Sequence, residues 1–146
     1  MLYNVLIVDD DRRTAESLAA QVCVLGHTVA TAYGPRMAMQ HLSEVIPDVI
    51  MLDLNMPGVN GLEVVRFLRR DPATARVPVV IVSASDAQDT IHQALASGAN
   101  HYLIKPPTVE DIEQALEVVM RNNLPPHRNG NGSGKNGSAT SRSIIR

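Results

Sequence analysis

Residues 49–58 read Val49-Ile50-Met51-Leu52-Asp53-Leu54-Asn55-Met56-Pro57-Gly58. Four aliphatic residues run unbroken into an aspartate. A continuous apolar run, unlike an alternating one, indicates a strand buried on both faces, as in a parallel sheet covered by helices. Asp53 therefore stands at the carboxyl end of such a strand.

Runs of the same kind recur on both sides of it: Val5-Leu6-Ile7-Val8, the shorter Thr28-Val29-Ala30-Thr31-Ala32, Val79-Val80-Ile81-Val82 and Tyr102-Leu103-Ile104. The segments between and after them carry one apolar stripe each: Leu18, Val22 and Leu25; Met37 and Leu42; Leu62, Val65 and Leu68; Ile91 and Leu95; Ile112, Leu116 and Val119. These are amphipathic helices by period. Gly26 and Gly98 read as residues just past helix ends, Pro35 as a first-turn residue, and Thr108 with Asp111 as a capping box. The pattern is βα repeated five times, an α/β fold of three layers. Parallel strands need right-handed crossovers, and ligands in such open sheets bind beyond the carboxyl ends of the strands.

The chain has 146 residues, 45% hydrophobic and 19% charged, which suits one globular domain. It has no Trp and one Phe, so packing falls to aliphatic side chains. The single cysteine, Cys23, excludes an intramolecular disulfide and fits a helix core position. No basic leader precedes Asp9 and no run reaches the roughly 20 apolar residues of a membrane span, so a cytoplasmic location is expected. Residues 1–121 carry 9 Lys+Arg against 15 Asp+Glu, whereas 122–146 carry four basic residues and no acid. This Gly/Ser/Asn-rich tail cannot bury enough apolar surface to order itself and is expected to be disordered. Its four charges, spread over 25 residues without aromatics, indicate a solubilising extension with no nucleic-acid binding. His27, His41, His92, His101 and His127 share no metal-ligand spacing and are expected at the surface or at caps.

After the predicted strands come Asp9, Asp10 and Asp11, then Asp53, Ser83 and Lys105. Carboxylates gathered at one sheet edge, with one lysine as internal partner, would repel one another unless a divalent cation sat among them. Hard oxygen ligands point to Mg²⁺. A carboxylate beside Mg²⁺ can attack a phosphoryl group while the metal and an ammonium neutralise the transferring oxygens. That makes Asp53 the nucleophile, Lys105 the fixed positive charge and Ser83 a hydroxyl donor to a phosphoryl oxygen. Asp11 reads as a helix N-terminal residue.

Val8-Asp9-Asp10, Asp53-Leu54-Asn55-Met56-Pro57-Gly58, Ser83-Ala84 and Lys105-Pro106 resemble, in order and spacing, the receiver domain of two-component response regulators, over residues 3–121. Each motif alone is weak; four at successive strand ends are specific. The resemblance implies a flavodoxin-like sheet of order 2-1-3-4-5. It implies that Asp53 accepts a phosphoryl group from a histidine kinase or a histidine phosphotransfer protein, with slow self-phosphorylation and dephosphorylation as the only chemistry. Asp10 and Asp53 would bind Mg²⁺ directly, Asp9 would support the metal and its waters, and Asn55 would lend a backbone carbonyl. Ser83 and Tyr102 would form the switch, Tyr102 turning inward as Ser83 is drawn to the phosphoryl group. A downstream protein would read the face of the fourth helix, fifth strand and fifth helix, the face through which members of this family also form homodimers. The Lys105-Pro106 bond resembles the family's cis peptide. Asn60-Gly61 replaces a common Asp-Gly, and Pro107 stands where a bulky apolar residue is frequent, beside the entry to the fifth helix.

Three other readings compete. Val8-Asp9-Asp10-Asp11 also fits a phosphatase resembling the haloacid dehalogenase family, with Asp9 as nucleophile and Asp11 as acid/base, but Asp53 would then have no task. A binding module that is never phosphorylated would not need all of Asp9, Asp10, Asp53, Ser83 and Lys105. The chain also reads either as a single-domain relay or as a receiver piece of a longer regulator or hybrid kinase.

Overall fold

The computed structural model describes residues 1–122. Along it run β1 (Asn4–Val8), α1 (Arg12–Val24), β2 (Thr28–Ala32), α2 (Pro35–Glu44) and β3 (Val49–Leu52). Two short strands follow, β4 (Asn55–Met56) and β5 (Val59–Asn60), then α3 (Gly61–Arg70), β6 (Val79–Ser83), α4 (Gln88–Ser97), β7 (His101–Ile104) and α5 (Val109–Asn122). The main sheet has the order β2-β1-β3-β6-β7 with every pair parallel, while β4 and β5 form a separate antiparallel ladder. Counting the long strands alone, the order is 2-1-3-4-5, as expected. Because α5 takes in Asn122, the tail expected from that residue on falls, apart from Asn122 itself, at 123–146, outside the described residues.

Successive strand side chains point to opposite faces, so each buried strand feeds two cores. Leu6, Val8, Ile50, Leu52, Val79, Ile81 and Tyr102 meet Ala38 of α2, Val64, Val65 and Leu68 of α3, and Ile91, Ala94 and Leu95 of α4. Val5, Ile7, Val49, Met51, Val80, Val82 and Leu103 meet Ala15, Leu18 and Val22 of α1 and Ile112, Ala115, Leu116 and Val119 of α5. This double burial is why the strands read as continuous apolar runs. Edge strand β2 is the exception: only Ala32 is fully buried in it, in keeping with its Thr and Ala content.

The helix punctuation holds. Asp11 caps α1 by accepting from the Arg13 and Thr14 N–H groups, Pro35 opens α2, and Gly26 and Gly98 take positive φ just past α1 and α4. Thr108 and Asp111 exchange backbone-to-side-chain bonds of 3.0 and 3.1 Å, a reciprocal capping box. Pro107 is accommodated just before that cap, its carbonyl accepting from Gln21 Nε2 at 2.8 Å, and Lys105-Pro106 is cis. Asn60 caps α3, its side chain accepting from the Leu62 N–H.

Three sequence expectations are corrected. Met37 is exposed and Ala38 faces the core; Met37 and Leu42 are five residues apart, about 140° round a helix, and cannot share one stripe. Cys23 is exposed, one residue past the buried Val22 and hence rotated away from the core. His101 is fully buried, with neither ring nitrogen hydrogen-bonded, because its place at the start of β7, opposite Val80, turns its side chain to the same sheet face as Leu103.

Candidate functional site

The main-sheet ladder sets the acidic residues side by side. The Asp9 N–H donates to the Ala32 carbonyl and the Asp53 N–H to the Val8 carbonyl, so both aspartates leave the sheet from fixed backbone positions at neighbouring strand ends. Ser83 ends β6, and its carbonyl accepts from the Lys105 N–H at 2.9 Å, which locks the fourth contributor to the third. Carboxylate oxygens of Asp9, Asp10 and Asp53 lie within 4.8 Å of one another. Asp9 and Asp53 are buried, whereas Asp10 is exposed and leaves the cluster open on one side.

Lys105 reaches in from the far edge of the site. Its Nζ lies 2.8 Å from Asp9 Oδ2 and 3.5 Å from Asp53 Oδ2. Asp9 is further held by the Asp11 N–H, which donates to Oδ1 at 2.9 Å. Asp53 Oδ1 accepts from the Asn55 N–H at 3.2 Å. Burial pushes the Asp53 carboxyl above its ordinary range; the Asn55 N–H and Lys105 pull the other way, and the Asp9 charge adds to the rise. One ammonium against three clustered carboxylates leaves an excess of negative charge that a small divalent cation would neutralise. The all-oxygen donor set, open at Asp10, fits a hard cation such as Mg²⁺.

The loop after Asp53 is shaped to return closely on itself. Gly58 takes φ 70 at the tip between β4 and β5, and a Cβ on Gly61 would lie 2.5 Å from the Leu54 Cα. Only glycine fits that approach, which lets the Gly61 N–H bond the Leu54 carbonyl and pins the segment carrying Asn55. The Asn55 side chain donates from Nδ2 to Ser83 Oγ at 3.2 Å, a contact that no strand-end spacing signals.

Tyr102 is fully buried, and its hydroxyl donates to the Ser85 carbonyl at 2.7 Å. All seven residues singled out from sequence thus belong to one end of the sheet: Asp9, Asp10, Asp53, Asn55, Ser83 and Lys105 around the cluster, and Tyr102 one contact beyond, through Ser85. Asp11 instead faces its own helix as a cap, which removes the acid/base that the dehalogenase-like reading requires.

The described residues contain no helix long and apolar enough to cross a membrane. Residues 5–117 match the family model of the response regulator receiver domain. The chain is 36% identical over 112 residues to the response regulator PleD of Caulobacter vibrioides, covering 77% of this chain and 24% of that protein. It is 31% identical over 122 residues to the phosphate regulon transcriptional regulatory protein PhoB of Pseudomonas aeruginosa, covering 84% of this chain and 53% of that one. The chain therefore spans about half or less of the length of these relatives. Among solved structures, chemotaxis protein CheY4 of Vibrio cholerae superposes with a TM-score of 0.76 at 27% identity, covering 82% of this chain and 99% of that chain. By the family model, these relatives and the shared sheet order, the chain belongs to the receiver domains of two-component response regulators.

Proposed function

We propose that Asp53 is the phosphoacceptor of this receiver and that Mg²⁺ bound among Asp9, Asp10, Asp53 and the Asn55 carbonyl is needed for the transfer. The observation that carries this reading is the placement of Lys105 Nζ 3.5 Å from Asp53 in the same cluster that gathers the three carboxylates. A carboxylate oxygen of Asp53 attacks phosphorus in line as the donor's phosphorus–nitrogen bond breaks, the electron pair leaving with the histidine nitrogen of a kinase or phosphotransfer protein. Asp53 enters as the anion, so no proton need be removed from it. When bound, the metal neutralises charge on the transferring oxygens. Lys105 shares that task with a fixed ammonium, and the Ser83 O–H donates to a phosphoryl oxygen.

Receiver domains are signalling domains without turnover of their own. Here self-phosphorylation from a small donor and slow loss of the phosphoryl group are the only chemistry proposed. Phosphorylation adds nearly two negative charges at Asp53 and biases a two-state equilibrium read through Ser83 and Tyr102. The downstream protein would read the face of α4, β7 and α5, with homodimerisation through the same face, in the cytoplasm. Intact-mass measurement with a small acyl phosphate tests the chemistry. One added phosphoryl group is expected with Mg²⁺ and none after chelation; equal labelling in both conditions contradicts the role given to the metal.

A further inference from the structure

Asn55 touches this site twice, by different atoms. Its backbone N–H holds Asp53 Oδ1, while its side-chain Nδ2 donates 3.2 Å to Ser83 Oγ. The Ser85 N–H donates to the same oxygen at 3.3 Å. A serine hydroxyl has two acceptor sites and one hydrogen. With both acceptor sites taken, the O–H is the only capacity Ser83 has left, and Ser83 is fully buried, so bulk water does not compete for it.

We propose that the Asn55 side chain is a positioning residue that, together with the Ser85 N–H, holds Ser83 as a committed donor toward the phosphoryl group. This rests on the reading of Asp53 as phosphoacceptor and adds to it a residue acting through Ser83. The device is connected to the switch aromatic, since Ser85, which donates to Ser83 Oγ by its N–H, accepts the Tyr102 hydroxyl by its carbonyl. It is also separable from the metal loop. The backbone at Asn55 is fixed by the β4–β5 pairing with Asn60 and by the close approach of Gly61 to Leu54, and Asn55 itself is exposed, so a change of side chain leaves backbone and core in place.

The test is a double-mutant cycle on the rate of Asp53 labelling by an acyl phosphate in saturating Mg²⁺, using the parent, Asn55→Ala, Ser83→Ala and the double variant. Asn55→Ala is expected to slow labelling about fivefold, the scale of one neutral hydrogen bond. The double variant is expected to be no slower than Ser83→Ala alone. If the two effects multiply, Asn55 does not act through Ser83 and the proposal falls while the phosphoacceptor reading stands. A parent that is not labelled at Asp53 ends both. An independent readout needs neither metal nor donor: in Ser83→Ala the Asn55 side-chain amide proton resonances should move, and unchanged resonances overturn the tether.

Discussion

At the residue scale, His101 shows what a sequence pattern can hide. Five histidines without ligand spacing look alike on paper, and nothing in a lone His marks it as interior; only its register opposite Val80 turns it into the core. Burial lowers its pKa to about 4, because the imidazolium would have neither water nor a partner. In the unfolded chain it titrates near the ordinary histidine value of 6.5. A lowered histidine pKa means that the unfolded state binds the proton first, so stability from this group is complete above about pH 6.5 and is lost as pH falls toward about 4. Asp53, whose pKa is raised, works in the opposite sense, taking up a proton more readily when folded. Urea unfolding at pH 7 and pH 4.5 should therefore show that His101→Leu loses less stability on acidification than the parent, by about 2–3 kcal/mol. Parallel losses in the two proteins would remove His101 from the account.

At the element scale, strand positions were legible because double burial writes itself as unbroken aliphatic runs, and β3 and β2 fall on the residues read from sequence. Helix faces were less legible where the stripe was thin. In α2 the face turns on Ala38, a residue too small to stand out beside Met37. What ties the elements at the end opposite the acidic cluster was not legible at all. Arg69, in the last turn of α3, donates to the carbonyls of Gly98 at 2.9 Å and Val77 at 2.7 Å and to Asn100 Oδ1 at 2.7 Å. Asn100 Oδ1 in turn accepts from the Val79 N–H. One guanidinium thus fastens α3, the end of α4 and the starts of β6 and β7. Its fork geometry has no substitute in lysine. Arg69→Ala leaves several half-buried acceptors unpaired and should lower unfolding stability by about 2–4 kcal/mol, with Arg69→Lys recovering less than half. Chemical denaturation of the three proteins decides this; a loss within error of the parent would show that water satisfies those carbonyls.

At the scale of the whole molecule, the site exists only because the sheet order brings distant segments together. Asp9 and Asp10 follow β1, Asp53 follows β3, Ser83 closes β6 and Lys105 follows β7, and the parallel arrangement places all of these ends on one edge. The identity of the cluster is readable in the sequence, since Asp9, Asp53, Ser83 and Lys105 are each the first polar residue after an apolar run and Asp10 directly follows Asp9. Its internal wiring is not. The Asn55 tether to Ser83, the Lys105 bond to Asp9 and the Tyr102 bond to the Ser85 carbonyl depend on side-chain directions that spacing does not encode. Of the three clustered carboxylates, Asp53 alone is proposed to take the phosphoryl group. Reduction of the labelled protein with borohydride converts an aspartyl phosphate to homoserine, which peptide mass spectrometry locates. The expected result is homoserine at position 53 alone, absent from Asp53→Asn; homoserine at Asp9 or Asp10 in the parent, or undiminished labelling of Asp53→Asn, would contradict the account.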